Sequence, residues 1–241
     1  GVSLHVNVNS SDDMDSKIAP QSLSGIKVIE LGQLIAGPFA AKTLADFGAD
    51  VIKIEPPGDG DPLRKWRLLH NGTSVWWQVQ SRNKKSVALD LRHEEGRAIV
   101  RRLIDDADVL IENFKPGTLE KWGMGYDALS STNPGLIMLR VSGYGQTGPY
   151  KDKPGFGVVA EAIGGLRHLT GEPGRVPVRV GVSIGDTLAR LHGVIGVLLA
   201  LNHRNNTRSA THPKGVGQVI DVALYESVFN VMESLLPEYS A

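Results

Sequence analysis

Asp186 follows Ser183-Ile184-Gly185 and opens an apolar, helix-forming stretch. Aspartate is a favoured helix cap, and capping alone accounts for it there. A carboxylate at a helix start is also held rigidly, and the helix dipole favours its ionised form. Those are properties of a carboxylate nucleophile. Four further segments carry groups suited to binding. Gly32-Gln33-Leu34-Ile35-Ala36-Gly37-Pro38 joins an expected strand to an expected helix, where backbone N–H groups can meet a phosphate or an oxyanion. It lacks the spacing of a dinucleotide loop and the Gly-Lys-Ser/Thr of a Walker loop, so a plain tight turn is the simpler reading. Arg82-Asn83-Lys84-Lys85-Ser86 sets three cations within four residues, and Arg92 lies near enough to join them. It reads as a solvated basic turn or as a phosphate clamp. Glu112-Asn113-Phe114-Lys115-Pro116-Gly117 ends an expected parallel strand, where open α/β sheets bind ligands. Phe114 there can cover an adenine ring and Lys115 can meet a phosphate, or the segment is a Pro-Gly turn. Gly143-Tyr144-Gly145-Gln146-Thr147-Gly148-Pro149 reads as a flexible loop, a lid or an oxyanion-binding wall.

Other chemistries find less footing. The seven histidines, His5, His70, His93, His168, His192, His203 and His212, show no metal-ligand spacing. With no cysteine, the chain offers no disulfide framework, thiolate metal site or cysteine nucleophile.

The elements that must hold these groups follow from periodicity. Ile26–Leu31 is a β-branched strand, Phe39–Phe47 a helix with Pro38 at its start, and Asp50–Ile54 a second strand. This strand–helix–strand unit favours parallel pairing. Residues 56–77 form a long excursion with three tryptophans, the kind of loop that is often functional. Strands are expected at Ser86–Leu91, Val109–Glu112, Leu136–Val141 and Gln218–Val222. Helices are expected at Glu94–Ala107, Phe156–Leu166, Asp186–Arg204 and Leu224–Leu236. The alternation predicts an α/β fold built on an open, Rossmann-type sheet with flanking helices.

The chain of 241 residues is 41% hydrophobic and 22% charged, enough for a sizeable core. Its formal net charge is zero, which disfavours a nucleic-acid or membrane surface. The longest apolar run, Val194–Leu201, is too short to span a bilayer. A polar tail over 1–22, an α/β domain over 23–204 and a connector, strand and helix over 205–241 are expected. The cytoplasm is the expected location, or the mitochondrial matrix if a presequence has been removed upstream of Gly1.

Taken together, the motifs resemble the family III CoA-transferases, the CaiB–BaiF family. The resemblance runs from about Leu23 to Glu226 and rests on Leu23–Glu30, Ala36-Gly37-Pro38, Phe47–Glu55, Asn83–Ser86, Glu112–Gly117, Gly143–Pro149 and Gly185-Asp186 in that order. It implies the N-terminal part of that fold, an interlocked homodimer, and Asp186 as the carboxylate that becomes acylated. It implies a coenzyme A thioester as substrate and no prosthetic group or metal. By the same resemblance Leu34, Ile35 and Ala36 line the CoA chain, and Leu89 and Arg92 lie at its nucleotide end. Asn113, Phe114, Lys121 and Trp122 supply further CoA contacts. Family members extend well past Ala241, into a small domain and a glycine-rich loop. The related α-methylacyl-CoA racemases pair the same aspartate with a histidine in a Gly-His-Asp motif. Here that motif reads Gly155-Phe156-Gly157, which removes one of two bases and leaves Phe156 as a wall of the acyl site. The stretch from Gly155 to Gly181 is similar to members that use succinyl-CoA and dicarboxylic acids. Gln146 is expected at this pocket, and Arg167, His168 and Arg179 are its expected cations for a second carboxylate. A racemase-like enzyme and a non-catalytic CoA-binding fragment are the alternatives.

Overall fold

The computed structural model describes residues 21–241. The expected tail therefore lies outside the described residues except for Gln21 and Ser22, which open a turn leading into the first strand. In chain order the elements are β1 (Lys27–Glu30), α1 (Ala36–Asp46), β2 (Asp50–Glu55), β3 (Leu69–His70), β4 (Thr73–Ser74), α2 (Val75–Gln80), β5 (Lys84–Ala88) and α3 (Glu94–Asp105). They continue with β6 (Val109–Glu112), α4 (Thr118–Lys121), α5 (Tyr126–Thr132), β7 (Ile137–Ser142), α6 (Gly157–Ile163), α7 (Leu166–Leu169), α8 (Ile184–Asn206), β8 (Val219–Ala223), α9 (Leu224–Phe229) and α10 (Leu235–Ser240).

Six strands pair in the order β5-β2-β1-β6-β7-β8, all parallel. The chain builds outward from β1 to β5, returns, and builds outward again from β6 to β8. This is the doubly wound order, and its direction reverses between β1 and β6. Side chains alternate across each strand, so Val28, Val109, Ile111, Ile137, Leu139 and Val141 enter one core with α1, α8 and α9. Ile29, Leu110 and Met138 enter the other, with Val100 and Ile104 of α3. Both faces are covered, and for that reason β6 and β7 are buried throughout and mostly apolar, with Arg140 the charged exception inside β7.

Several elements differ from the sequence expectation. β5 starts at Lys84 rather than Ser86, since its register against β2 runs from Val51↔Lys84 to Glu55↔Ala88. α8 starts at Ile184, so Asp186 is its third residue, and Ser183 occupies the cap without a side-chain hydrogen bond. The expected helix over 224–236 is split into α9 and α10, with Glu233 in the left-handed region at φ 55°. The strand expected at Gln218–Val222 forms one residue later as β8 and pairs with β7, and α9 packs on α6 and α8. The long excursion folds into a 3₁₀ turn at Pro62–Lys65, a β3–β4 hairpin and α2. Asn71 and Gly72 are both left-handed, as a two-residue hairpin turn requires. α8 is long and apolar enough to cross a membrane by composition, with mean hydropathy 1.5 over an 18-residue window. Its packing against α1, α9, β7 and β8 makes it a helix that covers the sheet.

Candidate active site

A cleft of about 990 Å³ opens at the carboxyl ends of β1, β6 and β7, where the winding reverses. That is where doubly wound sheets place their ligands. The Gln33–Ala36 turn, the Asn113–Pro116 loop, Ser142-Gly143, Lys151–Val158, the Arg179–Ser183 segment and Asp186 line it.

The turn after β1 is fixed by side chains from three other elements. Asn113 accepts from Gln33 N–H at 2.8 Å and donates to Gln33 C=O at 2.7 Å. Buried Asp61 accepts from Leu34 N–H through both oxygens, at 3.1 and 3.2 Å. Lys53 donates to Gly32 C=O at 2.8 Å while pairing with Glu30 and Asp61, both at 2.8 Å. Burial opposes the Lys53 charge, yet the two carboxylates hold its pKa above the usual lysine range. The clamps hold Leu34 at φ 63°, an uncommon conformation for a residue with a side chain. Gly32 packs on Gly37 and Pro38 so closely that a Cβ at 32 would lie 3.2 Å from Pro38 Cδ.

Asp186 faces the cleft from the first turn of α8. Gly157, the first residue of α6, packs directly on its carboxylate: a Cβ there would stand 2.5 Å from Oδ2. Burial pushes the Asp186 carboxyl up to about 6; the hydrogen bond from its own backbone N–H and the charge of Arg179 oppose that, and Glu161 adds to it. The dipole expected to keep Asp186 ionised is thus outweighed by desolvation. A carboxylate with that pKa is still roughly nine-tenths ionised at pH 7, and more basic than an exposed one. Arg179 donates through Nε to buried Glu161 at 3.3 Å. Phe156, 65% exposed, forms the wall before α6. Among the described residues, no three His, Asp or Glu side chains gather as metal ligands.

Of the residues singled out in the sequence, Leu34, Ile35, Ala36, Asn113, Phe114, Phe156, Arg179 and Asp186 meet at this cleft. Phe114 extends it, stacking edge-on against Trp122 at 5.5 Å, with Leu89 packed on the same core. Lys121, exposed, precedes Trp122 at the end of α4. Arg92 is exposed, away from the cleft lining, and forks onto Asp90. Gln146 is outside the lining: Asp221 accepts from its N–H at 2.9 Å and the loop turns away. Arg167 and His168 also lie outside it, on α7. The phosphate-clamp reading of residues 82–85 does not hold. Lys84 points inward to Glu30 and Pro38 C=O, both at 2.7 Å, and Lys85 pairs with Asp50. Trp66, Arg67 and Trp76 from the long excursion, with Lys151 and Lys153, complete the rim and were not singled out. The Arg67 guanidinium lies over the Trp76 ring at 4.6 Å, and that pairing of cation and aromatic in one loop was the available signal.

Comparison with known proteins bears on this geometry. Residues 23–241 match the family model described as CoA-transferase family III. A succinyl-CoA–D-citramalate CoA-transferase of Chloroflexus aurantiacus is 53% identical over 227 residues, spanning 94% of this chain and 55% of that protein. The succinyl-CoA–L-malate CoA-transferase beta subunit of the same organism is 51% identical, over 94% of this chain and 55% of its own length. A CAIB/BAIF family protein from Brucella suis, known as a crystal structure, superposes with a TM-score of 0.84 at 40% identity, over 92% of this chain and 58% of its own. The chain thus spans little more than half the length of the curated relatives it matches. With a doubly wound sheet and a family match over residues 23–241, the chain belongs to CoA-transferase family III.

Proposed function

We propose that the protein moves coenzyme A from succinyl-CoA to another dicarboxylic acid, with Asp186 as the acylated group. The observation that carries this reading is the Asp186 carboxylate itself, desolvated, more basic than usual and held against Gly157 in the cleft. An Asp186 oxygen attacks the thioester carbonyl, the C–S bond breaks, and CoA leaves as a thiolate. The product is an aspartyl mixed anhydride. The thiolate then attacks the aspartyl carbonyl, releasing succinate and leaving an aspartyl–CoA thioester. The acceptor carboxylate repeats both steps in reverse. No proton is transferred, which suits a site with Phe156 where a second base would stand.

Leu34–Ala36 lie along the pantetheine arm, the adenine rests on Phe114 beside Trp122 and Leu89, and Lys115 and Lys121 approach the phosphates. Arg179 meets the far carboxylate of the acyl group, which the names of the similar enzymes support as a dicarboxylate. Hydroxylamine trapping tests the proposal. Incubation with succinyl-CoA followed by hydroxylamine gives a hydroxamate at Asp186, absent in Asp186→Ala. An unmodified Asp186 in protein that turns over would sink the covalent reading. Proton exchange at C2 of a 2-methylacyl-CoA would favour a racemase instead.

A further inference from the structure

Glu161 is completely buried, and one of its oxygens, Oε1, has no hydrogen-bond partner. The other makes a single contact, to Arg179 Nε at 3.3 Å. It lies on α6 one turn beyond Gly157, so it shares the face that packs on the Asp186 carboxylate. A glutamine would fill the same space and keep the Arg179 contact without burying a charge, and an under-paired buried carboxylate is costly. Stability therefore does not explain the glutamate.

The groups around Asp186 leave Glu161 as the negative neighbour. Arg179, from the segment before α8, is the opposing cation, and it is already shared with Glu161. Arg190, one turn further along α8, is turned away, its guanidinium 3.7 Å from the Phe39 ring centre and within reach of Thr43. Tyr225 of α9 donates to Glu226, and Lys151, Asp152 and Lys153 are exposed on the outer rim. Lys42 on α1 is paired with Asp46.

We infer that Glu161 is a positioning residue whose charge favours the uncharged, acylated forms of Asp186. This rests on the reading of Asp186 as the acylated group. In the anhydride and in the aspartyl–CoA thioester alike, the Asp186 side chain has lost its charge, which leaves first on the CoA sulfur and then on the released carboxylate. Loss of charge by acylation and loss by protonation are the same electrostatic event at that position. A fixed negative neighbour favours both, and it makes the free carboxylate a stronger nucleophile.

The test measures covalent CoA on the protein by intact mass, at a fixed ratio of succinyl-CoA to succinate, across pH. In Glu161→Gln the covalent fraction falls about three- to tenfold, equivalent to half to one pK unit at Asp186, and the acid limb moves to lower pH. CoA affinity is unchanged, and Glu161→Asp, which keeps the charge, restores most of the fraction. A folded Glu161→Gln with the wild-type fraction and limb overturns the inference, as does a Glu161→Asp that loses as much as Glu161→Gln. Wild-type protein that never carries covalent CoA at Asp186 fails at the earlier step, the acylation itself, whatever the variants do.

Discussion

Gly157→Ala separates stability from nucleophile placement. Gly157 begins α6 with helical rather than left-handed φ, so alanine meets no backbone strain there. Helix propensity favours alanine by up to about 1 kcal/mol. The new Cβ, however, would stand 2.5 Å from Asp186 Oδ2, roughly an ångström inside van der Waals contact. The carboxylate is the free end of a short side chain, so it yields before the backbone does. The displacement falls on the proposed nucleophile, and an ångström of misplacement there costs on the order of 100-fold in rate. The expected variant melts at or slightly above the wild-type temperature, binds CoA equally well, and forms the Asp186 hydroxamate about a hundredfold more slowly. A stable Gly157→Ala that traps at the wild-type rate would refute the reasoning, because the contact would then not set the position of the carboxylate.

Asp186 should also be visible in stability. Its folded pKa of about 6 lies above the unfolded value near 3.9, so its ionisation destabilises the fold as pH rises from about 4 through 6. Asp186→Asn should therefore unfold at higher denaturant than wild type at pH 7, by up to about 3 kcal/mol, with the gap closing below pH 4; chemical denaturation at both pH values checks this. Asn113→Ala leaves the Gln33 N–H and C=O without their partners, at about 1–3 kcal/mol, and should raise KM for the CoA thioester as the turn loosens. Arg179→Gln should raise KM about tenfold or more for succinyl-CoA and far less for butyryl-CoA, read in parallel steady-state assays. Equal losses for the two donors would remove Arg179 from the recognition of the second carboxylate.

The sheet was legible because burial on both faces makes the central strands short, mostly apolar runs, and Val109–Glu112 is bounded correctly from its pattern. The same reading placed Gly32–Pro38 and Asn113–Gly117 at strand ends, while only the pairing of β1 with β6 shows that the two loops are neighbours. Lys84 was misread because a cluster of cations shows charge, while only the β5–β2 register shows that this one points inward to Glu30. Asp186 was legible as a candidate but not in its electrostatics. The dipole is a local property of the helix, whereas desolvation and Glu161 come from α6, packed against α8. Trp66, Arg67 and Trp76 escaped because the excursion has no period to read, and its hairpin brings them to the cleft only after folding.

The most direct test of the central claim follows oxygen. In the proposed sequence the acceptor carboxylate attacks the aspartyl–CoA carbonyl, and when CoA leaves with the acceptor acyl group one acceptor oxygen stays on Asp186. With both carboxylates of L-malate labelled with ¹⁸O, a single turnover from succinyl-CoA should place one ¹⁸O in the peptide containing Asp186 and nowhere else. Malyl-CoA formed with no label in that peptide would contradict an aspartyl intermediate, and label in another carboxylate would move the nucleophile there.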